Sequence, residues 1–167
     1  MSGKKETAKI KNNYFEQIMG PVRPDGAQML TIHFQSIMDK RVFPEEYKPN
    51  YWLGRAVDKI LQEMKTYIKV RQDLINQHAK KREKDGKEVK DGKTVKEWKK
   101  GDPMSLPNGS PDWIDRDAFN KEFVELQEIE IDLGIHRIEF DPDKGPDATP
   151  GEMQFLIPLL KEPEQDQ

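Results

Sequence analysis

Between Tyr51 and Ala79 the apolar residues recur at spacings of four and three. Leu53, Val57, Ile60, Met64, Tyr67 and Leu74 form one seam, and Leu61, Ile68 and Ile75 repeat every seven beside it. A period near that of the α-helix predicts one long amphipathic helix whose apolar stripe requires a partner. Pro44 and Pro49 bracket the connector Val42 to Asn50, and Asn50 is the expected cap. Arg71 and His78 fall on the seam in its last third, where the core should thin, and Ala79-Lys80-Lys81-Arg82 suits the negative end of the helix dipole.

A second periodic stretch follows Asp115 and Asp117, either of which can cap it: Phe119, Phe123 and Leu126 recur at four and three. Packed antiparallel on the first seam, this segment predicts a long helical hairpin, with Trp52 and Trp113 as packing residues. The period then changes to two. Ile129, Ile131, Leu133 and Ile135 alternate with polar residues, predicting a half-buried strand, and Ile138 and Phe140 continue in the opposite phase as though a bulge lay near Gly134. Its mate is the segment from Ala8 to Tyr14, the Asp-Gly hairpin described below, or another chain.

The ends carry shorter signals. Ile10, Tyr14 and Ile18 have helical spacing up to the break at Gly20-Pro21. Pro24-Asp25-Gly26 is a turn, and Ala27 to Lys40 reads as a helix capped by Asp25, although Leu30 to Phe34 would also suit a strand. Thr149-Pro150-Gly151-Glu152 is a capping box opening a short helix that Pro158 should kink. The predicted fold class is α+β, mostly α. A polar arm at 1–24 precedes a single domain at 25–162, which carries an exposed basic loop at 83–112 and is followed by a polar tail at 163–167.

Composition limits the core. Of 167 residues, 34% are hydrophobic and 35% charged, with a mean hydropathy of -0.93, which fits a modest core with polar excursions. Without cysteine there is no disulfide or thiolate chemistry. The first residues lack an apolar leader region and no apolar run reaches membrane-spanning length, so the expected location is cytoplasmic and no membrane partner is expected.

Charge is unevenly placed. Lys80 to Lys100 holds ten Lys or Arg against five Asp or Glu, whereas Asp112 to Gln167 holds five against sixteen. The first segment contains the near repeat Lys84-Asp85-Gly86-Lys87-Glu88-Val89 and Lys90-Asp91-Gly92-Lys93-Thr94-Val95, whose Asp-Gly pairs suggest an exposed hairpin. Lys96, Trp98, Lys99 and Lys100 could serve nucleic acid, with cations on phosphates and the indole on a base. The interspersed acids favour instead a solvated loop.

Catalytic and metal motifs are not found. His33, His78 and His136 are far apart in sequence, and there is no nucleophile elbow, phosphate loop or zinc-type His pair. Asp141 to Glu152 imitates a calcium loop, but its glycine is at position five rather than six and Glu152 has the capping role. No catalytic residue, cofactor or metal is therefore assigned.

The order of these elements, with Val42-Phe43-Pro44 before a long helix, a charged Asp-Gly loop, Phe119-Asn120-Lys121-Glu122-Phe123, an Ile-rich strand and a final Thr-Pro-Gly-Glu helix, resembles small uncharacterised helical proteins encoded by tailed bacteriophages and prophages. The likeness spans about Ala27 to Glu162 and implies a helical protein with no catalytic residues to transfer. The expected function is non-enzymatic protein binding or assembly, with a protein partner or self-association. Expected contacts are Ile135, Ile138 and Phe140 on the strand and Met153, Leu156 and Leu160 on the last helix; their alternative role is intramolecular core.

Overall fold

A computed structural model describes residues 6–162 and divides the chain into two compact units, residues 1–67 with 127–167, and residues 68–126. The fold is broadly α+β, with one long helix and small antiparallel sheets. The expected tail at 163–167 and the first five residues of the expected arm lie outside the described residues.

In the first unit, β1 (Thr7–Lys11) leads through α1 (Asn13–Ile18) to β2 (Met19–Val22), which pairs antiparallel with β3 (Gln28–Leu30) before α2 (Ile32–Asp39). Within the segment expected to be a polar arm, residues 8–18 supply core and 21–24 are exposed. Ala8, Ile10, Tyr14, Phe15 and Ile18 are all buried, because one face of the strand and one face of the short helix are apolar. The helix expected from Ala27 starts only at Ile32. Asp25 instead accepts the Ala27 amide in the turn, leaving 28–30 to pair as a strand.

Helix α3 (Tyr47–His78) is continuous, and its buried residues include Leu53, Val57, Ile60, Met64 and Tyr67 from the expected seam. It begins three residues before Asn50. The Asn50 amide instead ties down the preceding connector, accepting the Phe43 N–H and donating to the Phe43 and Glu46 carbonyls. Pro49 is tolerated because the first helical turn has no intrahelical acceptor for its missing N–H.

The Ile-rich strand, β6 (Glu130–His136), takes β1 as its mate, in register at Lys9 with Asp132, Ile10 with Ile131 and Lys11 with Glu130. The register slips between Thr7 and Lys9, opposite Gly134, which adopts φ +68°. Asp132 fastens this irregularity by accepting the Gly134 N–H at 2.9 Å and the Thr7 hydroxyl at 2.8 Å; those two hydrogen bonds, the backbone one first, hold its carboxyl below the usual range. Helix α5 (Pro150–Leu156) starts with the full Thr149/Glu152 capping box and gives way to a 3-10 turn at Ile157–Leu159, where Pro158 lies. Around it, Tyr14, Phe34 and Phe155 pack edge to face, and the buried Tyr14 hydroxyl donates to the Phe155 carbonyl. Burial pushes the Tyr14 phenol well above its ordinary value.

In the second unit, β4 (Gly86–Lys90) and β5 (Lys93–Trp98) form the anticipated hairpin. Asp91 and Gly92 both have positive φ, 54° and 75°, the requirement of a two-residue turn that follows strand twist. Helix α4 (Arg116–Glu128) is capped by Asp115, whose carboxylate accepts the Asp117 and Ala118 amides. Its Phe119 is stacked between Trp113, at 4.0 Å, and Phe123, at 5.3 Å. From the last third of α3, Arg71 lies over the Phe123 ring and His78 Nε2 is 2.9 Å from the Glu122 carboxylate.

Candidate functional site

Three of the residues expected to contact a partner are core. Ile138, Leu156 and Leu160 are 2%, 0% and 6% exposed, and Ile138 is bridged in parallel to Leu160, so their apolar surface is spent inside the chain. Phe140 is half-buried against Phe43, with ring centroids 5.5 Å apart, and Met153 is also half-buried. Ile135 is half-buried and lines an open groove. The structure therefore does not bring the six together as one exposed surface.

The nucleic-acid alternative is also rearranged. Lys96, Lys99 and Lys100 are exposed, with Lys96 standing opposite Glu88 in the hairpin register. The Arg82 guanidinium lies 4.0 Å from the centroid of the Trp98 ring, and Gly86 sits hard against that indole. One ring face is thus occupied by a cation, which removes Trp98 as a two-sided stacking platform.

A different site emerges in the first unit. Two cavities follow one another along the seam between α3 and the stretch 133–139. The first, of about 340 Å³, is bordered by Lys48 and Trp52 of α3 and by residues 136–139, with Glu6 and Lys161 at its margin. The second, of about 470 Å³, is bordered by Arg55, Asp58, Lys59 and Gln62 of α3 and by residues 133–135. As α3 advances from 48 to 62 the other side retreats from 139 to 133, so the two cavities lie one after the other along the same two segments, and together they are termed the furrow. Fourteen helical steps cover about 21 Å; on the other side only 133–136 belong to β6, and 137–139 continue beyond its end.

The walls differ in character. On the strand side, β6 pairs with β1 alone among the described residues, whereas just past its end the Ile138 N–H donates to the Leu159 carbonyl and the Ile138 carbonyl accepts the Lys161 N–H. A strand with a single partner retains the capacity to accept another strand. On the helix side, the first turns of α3 expose three aromatic residues close together: Tyr47 at 71%, Tyr51 at 56% and Trp52 at 44%. Tyr51 and Trp52 meet edge to face, and the Arg55 guanidinium lies 6.0 Å from the centre of the Tyr51 ring. Tyr, Trp and Arg are the residue types that dominate binding energy at protein interfaces.

Trp52, expected to pack in a helical hairpin, is instead exposed at the furrow. The available sequence signal was its position beside Tyr51, off the apolar seam and one turn before Arg55. Trp113 does pack, on Phe119. Glu152, the last acid of the calcium-like stretch, is buried against Lys40 and Thr149. Among the described residues no group of His, Cys, Asp and Glu could hold a metal ion, and no helix is long and apolar enough to cross a membrane.

No protein-family model matches the chain, and neither a curated protein nor a solved structure matches it.

Proposed function

We propose that this chain is a non-enzymatic protein-binding module that receives an extended segment of a partner in the furrow between α3 and residues 133–139. The observation that carries this reading is the succession of two cavities along α3, one bordered by residues 133–135 of β6, a strand with a single partner, and the next by the exposed Trp52, on which Tyr51 packs. A strand edge supplies main-chain hydrogen bonds to an added strand, while aromatic anchors supply most of the apolar contact energy. Lys11, Tyr14, Asp132 and Glu152 have displaced pKa values, and each is committed to a structural hydrogen bond rather than aimed at a substrate.

Antiparallel packing of α4 on the end of α3 belongs to the same proposal. It is supported by the order of contacts, with Arg71 meeting Phe123 and His78 meeting Phe119 and Glu122. An accessory, structural or host-directed role in a phage or prophage is part of the same proposal and rests on the order of the sequence elements alone. Neighbouring capsid or tail genes would favour assembly, and early genes would favour a host target.

The test is a selection of displayed peptides against the full chain, followed by amide chemical-shift mapping of the winners. The expected result is perturbation concentrated at 133–139 and at 48–62. Failure to enrich any peptide, or perturbation confined to other segments, would remove the proposal.

A further inference from the structure

The furrow has a charge that the unit around it does not share. Residues 1–67 and 127–167 together carry fourteen Lys or Arg against nineteen Asp or Glu, so this unit is net acidic. Along the furrow the balance reverses, with five Lys or Arg against three Asp or Glu. Each of the two cavities is net positive by one charge; around Trp52, Lys48, Arg137 and Lys161 line the wall together with Glu6 and Glu139, which leaves Lys48 as the cation in excess.

These cations are available. Lys48 is exposed and forms no ion pair among the described residues. Arg137 reaches Glu6 only at 3.8 Å, and Lys161 reaches Glu139 at 3.3 Å, with both glutamate side chains more than half exposed. Exposed pairs of this kind contribute about 0 to 1 kcal/mol and exchange readily for another carboxylate. A basic incoming segment would meet three cations, whereas an acidic one would gain their field and could replace Glu6 or Glu139 as partner.

The geometry points to an acidic, extended peptide segment of a partner protein as the occupant of the furrow, its carboxylates held by Lys48, Arg137 and Lys161 while an apolar side chain rests on Trp52. This rests on the furrow being a peptide site, and adds which peptides it takes. The spacing suits strand geometry, because alternate side chains of an extended ligand point the same way and can present acid to one wall and apolar surface to the other.

Fluorescence anisotropy with the full chain decides it, using labelled peptides of about eight residues, long enough to span the furrow. Three probes alternate valine with glutamate, glutamine or lysine. The glutamate probe should bind tightest and weaken as salt rises from about 50 to about 500 mM. Lys48→Glu with Lys161→Glu should weaken it about tenfold and improve the lysine probe, with circular dichroism unchanged. Trp52→Ala should weaken the glutamate and glutamine probes alike. Equal binding of the glutamate and glutamine probes would overturn the acidic preference while leaving a peptide site intact. Loss of glutamate-probe binding on Lys96→Glu with Lys99→Glu, rather than on the furrow changes, would move the interaction to the hairpin and overturn the inference. No binding by any probe would overturn both the inference and the peptide site beneath it.

Discussion

The Glu152 carboxylate lies 2.8 Å from the Lys40 ammonium, and Glu152 is the one charged residue buried among the described residues, at 3% exposure. The same carboxylate accepts the Thr149 hydroxyl and amide, so it closes the α5 capping box and neutralises Lys40 at once. Its hydrogen bond to Lys40 is the main cause holding the carboxyl below its ordinary 4.5, with Thr149 adding to the effect and desolvation opposing it.

A folded pKa below the unfolded one stabilises the fold when the group is ionised. The contribution is complete above the ordinary 4.5 and is lost as pH falls through the lower folded value. Glu152→Gln keeps a side chain able to close the capping box but removes the charge. Because the Lys40 end is partly solvated, the expected loss at pH 7 is about 1 kcal/mol. Urea unfolding at pH 7 and in acid below the folded pKa should show the difference between wild type and variant shrinking at the lower pH. A difference that stays constant would contradict the ion-pair account.

At Gly134 nothing lies within 4 Å of where a Cβ would sit, yet φ is +68°. Space is therefore not the constraint there; backbone conformation is. Gly134→Ala should destabilise by about 1 kcal/mol, and Gly134→Asn by less, since Asn tolerates the left-handed region. Chemical denaturation ranks the three proteins, and equal stability of the Ala and Asn variants would show that the residue can leave this conformation freely.

Gly86 poses the opposite case. A Cβ there would lie 2.6 Å from Nε1 of Trp98, whose ring is covered on one face by Arg82. Gly86→Ala should push the indole out and break the cation–π contact, costing about 0.5 to 2 kcal/mol. The indole N–H resonance of Trp98 reports the displacement directly. An unshifted resonance would mean that the hairpin backbone yields instead.

Much of the local structure was legible because burial imposes a period. The α3 seam from Leu53 to Tyr67, the alternation of β6, the irregularity at Gly134 and the Thr149 capping box all follow from spacing or from one residue's conformational needs. The N-terminal segment was legible only as one of three candidate mates for the Ile-rich strand, not as core. Ala8 and Ile10 become buried only because β6 arrives from more than a hundred residues away, and no local period records such a partner. Asn50 is a related case, since a capping side chain and one that ties a preceding loop look identical in sequence. The furrow was harder still. It exists because Lys48, Trp52 and Arg55 face residues 133–139 across space, and the only trace in sequence is a set of aromatic residues placed off the apolar stripe.

Phe119 offers the sharpest test of the second unit. It is buried, stacked on Trp113 on one side and Phe123 on the other, and meets the His78 ring edge-on. Removing it leaves a cavity lined by rings that cannot collapse onto one another without leaving their own supports, so Phe119→Ala should cost about 3 to 5 kcal/mol. Phe119→Leu refills most of the volume but forfeits the stacking geometry, at about 0.5 to 1.5 kcal/mol. Neither variant touches the Tyr14, Phe34 and Phe155 cluster of the first unit. Hydrogen exchange should therefore lose protection in α4 and in the last turns of α3 while β1 and β6 retain theirs. If protection fell equally in both units, the chain would unfold as one cooperative body and the division at residues 67 and 127 would have no thermodynamic meaning.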